Sequence, residues 1–182
     1  MSRNYKFYDN ERPYFVTFSV VNWIDAFTRR EYKDILLDSF RYCMINKGME
    51  IYAWVIMSNH VHLIMGSHQQ LMSDILRDVK RHTSKKIVEA IANNTQESRK
   101  EWLLKLFQNA GRRNPNNENF QFWQQGNHPI ELWSSHVIDQ KLDYLHLNPV
   151  VAGWVDEPEH YLYSSARDYA GIKGLLDIQM LY

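Results

Sequence analysis

The sequence predicts an α+β fold, a ferredoxin-like antiparallel sheet with helices on one face and a further helix near the C-terminal end. Three observations carry this. Short runs of aromatic and β-branched residues alternate with long segments of helical periodicity. Two of the strand-like runs are separated by only a short polar turn, so they form an antiparallel hairpin. The order strand–helix–strand–strand–helix–strand is that of a split βαβ arrangement, whose sheet buries one face under its crossover helices.

Tyr14-Phe-Val-Thr-Phe-Ser-Val-Val21 follows Pro13 and reads as the first strand. From Arg30 to about Asn46, apolar residues at Ile35, Leu36, Phe40, Cys43 and Met44 keep helical spacing, and Gly48 is a stop signal. Met49 to Met57 is the second strand, Ser58-Asn59 the turn, and His60 to Gly66 the third strand. Gln70 to Ala92 forms a second long helix through Leu71, Ile75, Val79, Ile87, Val88 and Ile91, and Thr95 to Ala110 a third around Trp102 to Phe107. Gly111 to Asn119 has loop composition. Phe120 to Trp123 and Pro129 to Leu132 read as short strands. Ser134 or Ser135 caps a helix expected to stop at about Leu147, because Pro149 disfavours helical geometry at Asn148. A last short helix falls near Ser164 to Ala170.

Composition narrows the class. The 182 residues, 45% hydrophobic and 14% aromatic, suit a single folded domain over 1–182. Lys plus Arg equals Asp plus Glu at 21 each, so net charge does not advertise a nucleic-acid partner and any basic surface is local. The lone Cys43 excludes a disulfide scaffold and a cysteine-rich zinc site. No apolar run approaches the ~20 residues of a membrane helix, and no signal-peptide pattern opens the chain. The expectation is a cytoplasmic protein with no membrane partner.

Three groups of residues could carry chemistry. His60 and His62 share one face of the third strand, because side chains alternate along a strand. Two imidazoles on one face suit a divalent metal, although spacing alone does not separate this from a hydrogen-bonded core pair. Next, Ile138, Leu142 and Leu145 form an apolar helix stripe, from which Tyr144 is turned by about 200° at roughly 100° per residue. Asn148 lies one turn on, so a phenol and an amide oxygen face one side, though a boundary tyrosine and a helix-ending asparagine would look the same. Third, Arg77, Arg81 and Lys85 recur every four residues beside Lys80 and Lys86, and Arg112-Arg113 follow. This pattern suits a phosphate backbone or a solvated face equally well. Trp123, Trp133 and Trp154 could stack on unpaired bases, or belong to the core.

Together these residues resemble one family. His60-Val61-His62 is similar to the histidine–hydrophobe–histidine motif of HUH single-tyrosine transposases of the insertion-sequence type. Tyr144-Leu-His-Leu-Asn148-Pro-Val-Val-Ala-Gly153 resembles the helix that carries their nucleophile. Trp54-Val-Ile-Met-Ser-Asn-His-Val-His-Leu-Ile and Tyr163-Ser-Ser-Ala are most similar to the REP-associated tyrosine transposase branch. The likeness spans about Tyr14 to about Gly171, and the two motifs, about eighty residues apart, are specific in combination. It implies His60, His62 and Asn148 as ligands of magnesium or manganese, and Tyr144 as nucleophile on a DNA phosphate. The product would be a 5′-phosphotyrosine and a free 3′-hydroxyl. The implied substrate is single-stranded or hairpin DNA, contacted by Arg77, Arg81, Lys85, Arg112 and Arg113. Relatives include both monomers and dimers with shared active sites, so a homodimer is one expected state. Val151 stands where many relatives have arginine, which puts one DNA contact in doubt. A non-catalytic binding domain with an RRM-like sheet is the rival expectation. It has no need of all four site residues together.

Overall fold

The computed structural model describes Phe7, residues 12–114 and residues 119–181. Its sheet has four strands in the order β2-β3-β1-β4, with β1 at Tyr14–Ser19, β2 at Met49–Ile56, β3 at His60–Ser67 and β4 at Ile130–Glu131. Every neighbouring pair is antiparallel. The central β1–β3 register pairs Thr17 with His62 and Ser19 with His60.

One face carries the main core. Val16, Phe18, Trp54, Ile56, Val61, Leu63 and Met65 point into it and are essentially without solvent contact. They meet the apolar stripes of α1 (Arg30–Lys47) and α2 (Met72–Asn93), with Leu103 and Phe107 of α3 (Lys100–Arg112). Burying each such side chain contributes roughly 1.5–3 kcal/mol. Gly48 ends α1 in the left-handed conformation (φ 69°), its N–H bonded to the Cys43 carbonyl, as its position in the sequence suggests.

The opposite face is shared. Phe15, Ala53, Val55, Met57 and Ile64 form a second cluster with Leu142 and Leu145 of α4 (Ser135–Val151). The sheet face opposite α1 and α2 is therefore covered by α4 on one side and left open only at the histidine end. The Ser134 hydroxyl accepts from Val137 N–H and caps α4. The helix does not stop at Asn148. Pro149 lies inside it, and the chain turns at Gly153 (φ 71°), with Gly153 N–H bonded to Val150 O and Trp154 N–H to Pro149 O. These are the two bonds of a Schellman motif. Proline forfeits one backbone donor, but in the last turn the capping bonds and its own burial hold the helix together.

Other boundaries also differ from expectation. Helix α3 starts at Lys100 rather than near Thr95, and it takes in Gly111 and Arg112. The middle of the expected loop, residues 115–118, lies outside the described residues. Phe120 to Trp123 is not a strand: Trp123 makes an isolated bridge to Val20. The segment instead lies along β1, with Val21 N–H bonded to Phe122 O, Gln124 N–H to Ser19 O and Thr17 N–H to Asn127 O. The half-buried Lys80 ammonium grips this strap through Gln124 O (2.8 Å), Gly126 O (3.1 Å) and Asn127 Oδ1 (3.0 Å). Residues 163–165 run beside the outer edge of β2 before α5 (Ala166–Tyr169), and Ser165 N–H bonds to Trp54 O. Among the described residues no helix is long and apolar enough to cross a membrane.

Candidate active site

The open end of the second face is a cleft of about 450 Å³. Strands β1 and β3 form its floor, α4 one wall and the strap 124–128 the other. The parity of β3 puts both histidines on this floor, with ring centroids 4.7 Å apart. His62 is buried between Phe15, stacked at 5.2 Å, and the edge of Tyr144, at 5.3 Å. Its Nδ1 shares a hydrogen with the Thr17 hydroxyl at 2.7 Å, while Nε2 is buried with no hydrogen-bond partner. His60 Nδ1 likewise meets the Asn59 amide oxygen at 2.7 Å. Burial pushes the His60 pKa down, opposed by the Asn148 amide, which as an acceptor favours the protonated ring. Burial, followed by the charges of His60 and Lys141, takes His62 down to about 3. Both rings are thus held neutral, the form that ligates a metal.

Helix α4 supplies the rest. Its apolar stripe anchors to the sheet, so Tyr144, on another face of the helix, stays half exposed above Phe15 and His62. Asn148 donates Nδ2–H to the Tyr144 carbonyl at 2.6 Å, and its side chain lines the cleft together with His60. His60, His62, Tyr144 and Asn148 therefore converge within one chain.

The basic residues do not join them. Arg77, Arg81 and Lys85 lie on α2, in the layer behind the sheet. Arg77 pairs with Asp74 (2.7 Å) and Arg81 with Asp78 (3.2 Å). Arg112 and Arg113 are exposed at the end of α3. The groove that Arg77, Arg81 and Lys85 line does meet the cleft at Gln124 and Gln125, which belong to both. Trp123 is core, donating its indole N–H to Thr83 at 3.0 Å. Trp133 is exposed away from the cleft lining, and Trp154 leans on Tyr161.

Of the cleft residues that the sequence did not single out, Thr17, Lys141 and Trp23 bear most directly on the site. Thr17 could have been found from strand alternation, since it shares a face with Phe15 and Ser19. Lys141 sits one turn before Tyr144, a spacing that puts the two side chains together. Trp23 had no signal: a left-handed backbone at Asn22 and Trp23 (φ 56° and 55°) turns its ring over His60 at 5.6 Å.

Among the described residues no three His, Cys, Asp or Glu side chains cluster as a metal site. The donor set here is two imidazoles and an amide. It fits a divalent cation on one specific ground, the unpartnered and buried Nε2 of His62 in a cleft that His60 and Asn148 also line. Each Nδ1 is already engaged by Thr17 or Asn59, as the rear nitrogens of ligating histidines are.

Comparison with known families matches residues 15–110 to the model described as "Transposase IS200 like". The chain belongs to the IS200-like transposase family. The matched span contains the histidine strand and stops before α4. Among solved structures, one described as the REP-associated tyrosine transposase bound to a REP hairpin superposes with a TM-score of 0.66. The alignment covers 98% of this chain and 94% of that one at 19% identity, and it extends the shared fold through α4. A putative transposase from Deinococcus radiodurans R1 aligns at 18% identity over 85% of this chain and 96% of that one, with a TM-score of 0.45. No curated protein matches.

Proposed function

We propose that this transposase cuts and rejoins single-stranded DNA, with Tyr144 as nucleophile and His60, His62 and Asn148 as ligands of magnesium or manganese. The observation that supports it best is the convergence of all four side chains on one cleft of one chain. The metal would polarise the scissile phosphate and offset charge in the transition state. The protein's own residues do the positioning. Leu142 and Leu145 anchor α4 on the sheet, and Asn148 braces the turn of Tyr144 through the Tyr144 carbonyl. The phenol oxygen, free of competing bonds, attacks phosphorus and leaves a 5′-phosphotyrosine and a 3′-hydroxyl. One chain supplies the whole set, so cleavage requires no second copy.

A hairpin with a single-stranded flank is the proposed substrate, by analogy with the DNA held by the structural relative. The exposed Trp23 offers a ring for a base beside the cleft. The flank would cross Gln124 and Gln125 into the groove of Arg77, Arg81 and Lys85, with Arg112 and Arg113 further contacts.

Incubation with hairpin-containing oligonucleotides and Mn²⁺ should give a covalent protein–DNA band on a denaturing gel. Chelator should abolish it, and so should Tyr144→Phe. Peptide mapping should place the DNA on Tyr144. A band that maps to Tyr163 or Tyr169 overturns the nucleophile, and no band with any oligonucleotide favours a binding domain instead.

A further inference from the structure

The cleft that holds His60, His62, Tyr144 and Asn148 is lined by no carboxylate and by a single lysine or arginine, Lys141. The chain as a whole carries 21 basic and 21 acidic residues, so this exclusion of acids is local. On α2 several cations are paired, Arg77 with Asp74, Arg81 with Asp78 and Lys86 with Glu89, and Lys47 of α1 pairs with Asp78. Lys141 has no such partner among the described residues. Its ammonium instead lies 5.3 Å from the centre of the Phe15 ring and 5.8 Å from that of Tyr144. Those rings hold a cation without neutralising it. An unpaired ammonium beside the phenol, in a cleft free of competing anions, is placed for an anion that arrives from outside.

We propose that Lys141 is a catalytic residue that binds the phosphate under attack by Tyr144. The proposal rests on the reading of Tyr144 as nucleophile. The Lys141 ammonium pairs with a non-bridging oxygen of the scissile phosphodiester and stays protonated throughout. The bond between the Tyr144 oxygen and phosphorus forms as the bond from phosphorus to the 3′-oxygen breaks. The breaking bond's electron pair goes to that oxygen. The phenolic proton leaves to water, and the 3′-oxygen takes one from water, so the count of protons is unchanged. Five-coordinate phosphorus carries more negative charge than the diester, so the contact strengthens on the way to the transition state.

The test compares wild type, Lys141→Met and Lys141→Arg by the rate of covalent adduct formation at saturating oligonucleotide, and by affinity for the same oligonucleotide. Met keeps the aliphatic stem and the helix propensity, and thermal melting checks the fold. The rate should fall about 10²–10³-fold in Lys141→Met, as for loss of one transition-state donor. Affinity should change only a few-fold, and Lys141→Arg should recover most of the rate. A substrate with an uncharged methylphosphonate at the scissile linkage should bring the rates of wild type and Lys141→Met together. Adduct on Tyr144 at equal rates in wild type and Lys141→Met overturns the role of Lys141 and leaves that of Tyr144 intact. A full rate deficit that persists on the methylphosphonate places Lys141 elsewhere than on the phosphate and overturns the proposal too. Failure of the wild type to attach DNA through Tyr144 overturns both.

Discussion

Replacing Thr17 by valine should weaken divalent-metal binding about 5–150-fold without unfolding the protein. The hydroxyl lies 2.7 Å from His62 Nδ1, on the strand paired residue for residue with that of the histidine. An imidazole that offers Nε2 to a metal must carry its proton on Nδ1, and that N–H then donates to Thr17. Valine keeps the branched shape but removes the acceptor. A buried N–H left unpaired costs roughly 1–3 kcal/mol. The free variant relieves that cost by turning the ring so that its N–H meets the open cleft, an orientation in which Nε2 no longer faces the cation, and metal binding must restore the buried N–H. Since about 1.4 kcal/mol is a factor of ten in binding, the penalty converts to the stated range. The figure agrees with the about 10–100-fold losses seen when outer partners of ligating histidines are removed.

Calorimetric titration of Mn²⁺ into wild type, Thr17→Val and Thr17→Ser measures this directly. Serine keeps the oxygen and should retain most of the affinity. Nitrogen-15 NMR of the imidazoles should show a change at His62 in the valine variant alone. Wild-type Mn²⁺ affinity in folded Thr17→Val would refute the reasoning, because His62 would then be oriented by packing between Phe15 and Tyr144 and not by its hydrogen bond.

Other consequences follow from the same geometry. Trp23→Ala should weaken single-strand binding by about 1–3 kcal/mol, the worth of one stacked base, with no loss of fold, as read by fluorescence anisotropy. Gly111→Ala should lower the melting temperature: a Cβ there would sit 2.5 Å from the Phe120 Cα. Helix propensity returns about 1 kcal/mol, but overpacking against backbone costs about 1–3 kcal/mol or more. Gly153→Ala should cost about 1–2 kcal/mol in urea denaturation, the strain of alanine in the left-handed turn that ends α4. Glu97 is buried; burial raises its pKa, but hydrogen bonds from Arg99 and Arg29 outweigh this and hold it below the reference 4.5. Its contribution is therefore complete above pH 4.5 and lost as pH falls through the folded-state value, where the unfolded chain binds the extra proton. The urea midpoint of the wild type should drop faster below pH 4.5 than that of Glu97→Gln. At pH 7 Glu97→Gln should itself be less stable by about 1–3 kcal/mol, less than for a fully buried pair because both arginines are about one-third exposed.

The parts of the site set by a repeat of fixed period were legible. Strand alternation put His60 and His62 on one face, and the turn of about 100° per residue put Tyr144 and Asn148 off the stripe of Leu142 and Leu145. What could not be read was set by contacts between distant segments. The end of α4 depended on Gly153 closing two capping bonds, which outweighed the local preference of Asn148 before Pro149. The strap 124–128 lies between two expected strands and had no reading of its own; its place is fixed by β1 and by the Lys80 ammonium, more than forty positions away. Trp23 reaches the cleft only through two left-handed residues that nothing in its neighbours announces.

Net charge was a poor guide for a related reason. Zero overall charge seemed at odds with a DNA partner, but the total says nothing of how charges are sorted. On α2, acids and bases three residues apart neutralise one another: Asp74 with Arg77, and Asp78 with Arg81. Among the described residues no carboxylate lines the cleft, burial favours the neutral form of both histidines of the sheet floor, and Lys141 is the one lysine or arginine there. A phosphodiester arriving there meets no repulsion and one attraction, whereas on the α2 stripe it competes with carboxylates already in place. Specific affinity at the cleft should therefore depend on salt through few charges, and the stripe should govern only the weaker, sequence-independent component. The slope of log affinity against log salt for an oligonucleotide confined to the cleft should be near that of a single phosphate contact, and it should steepen only when the strand is long enough to cross Gln124 and Gln125.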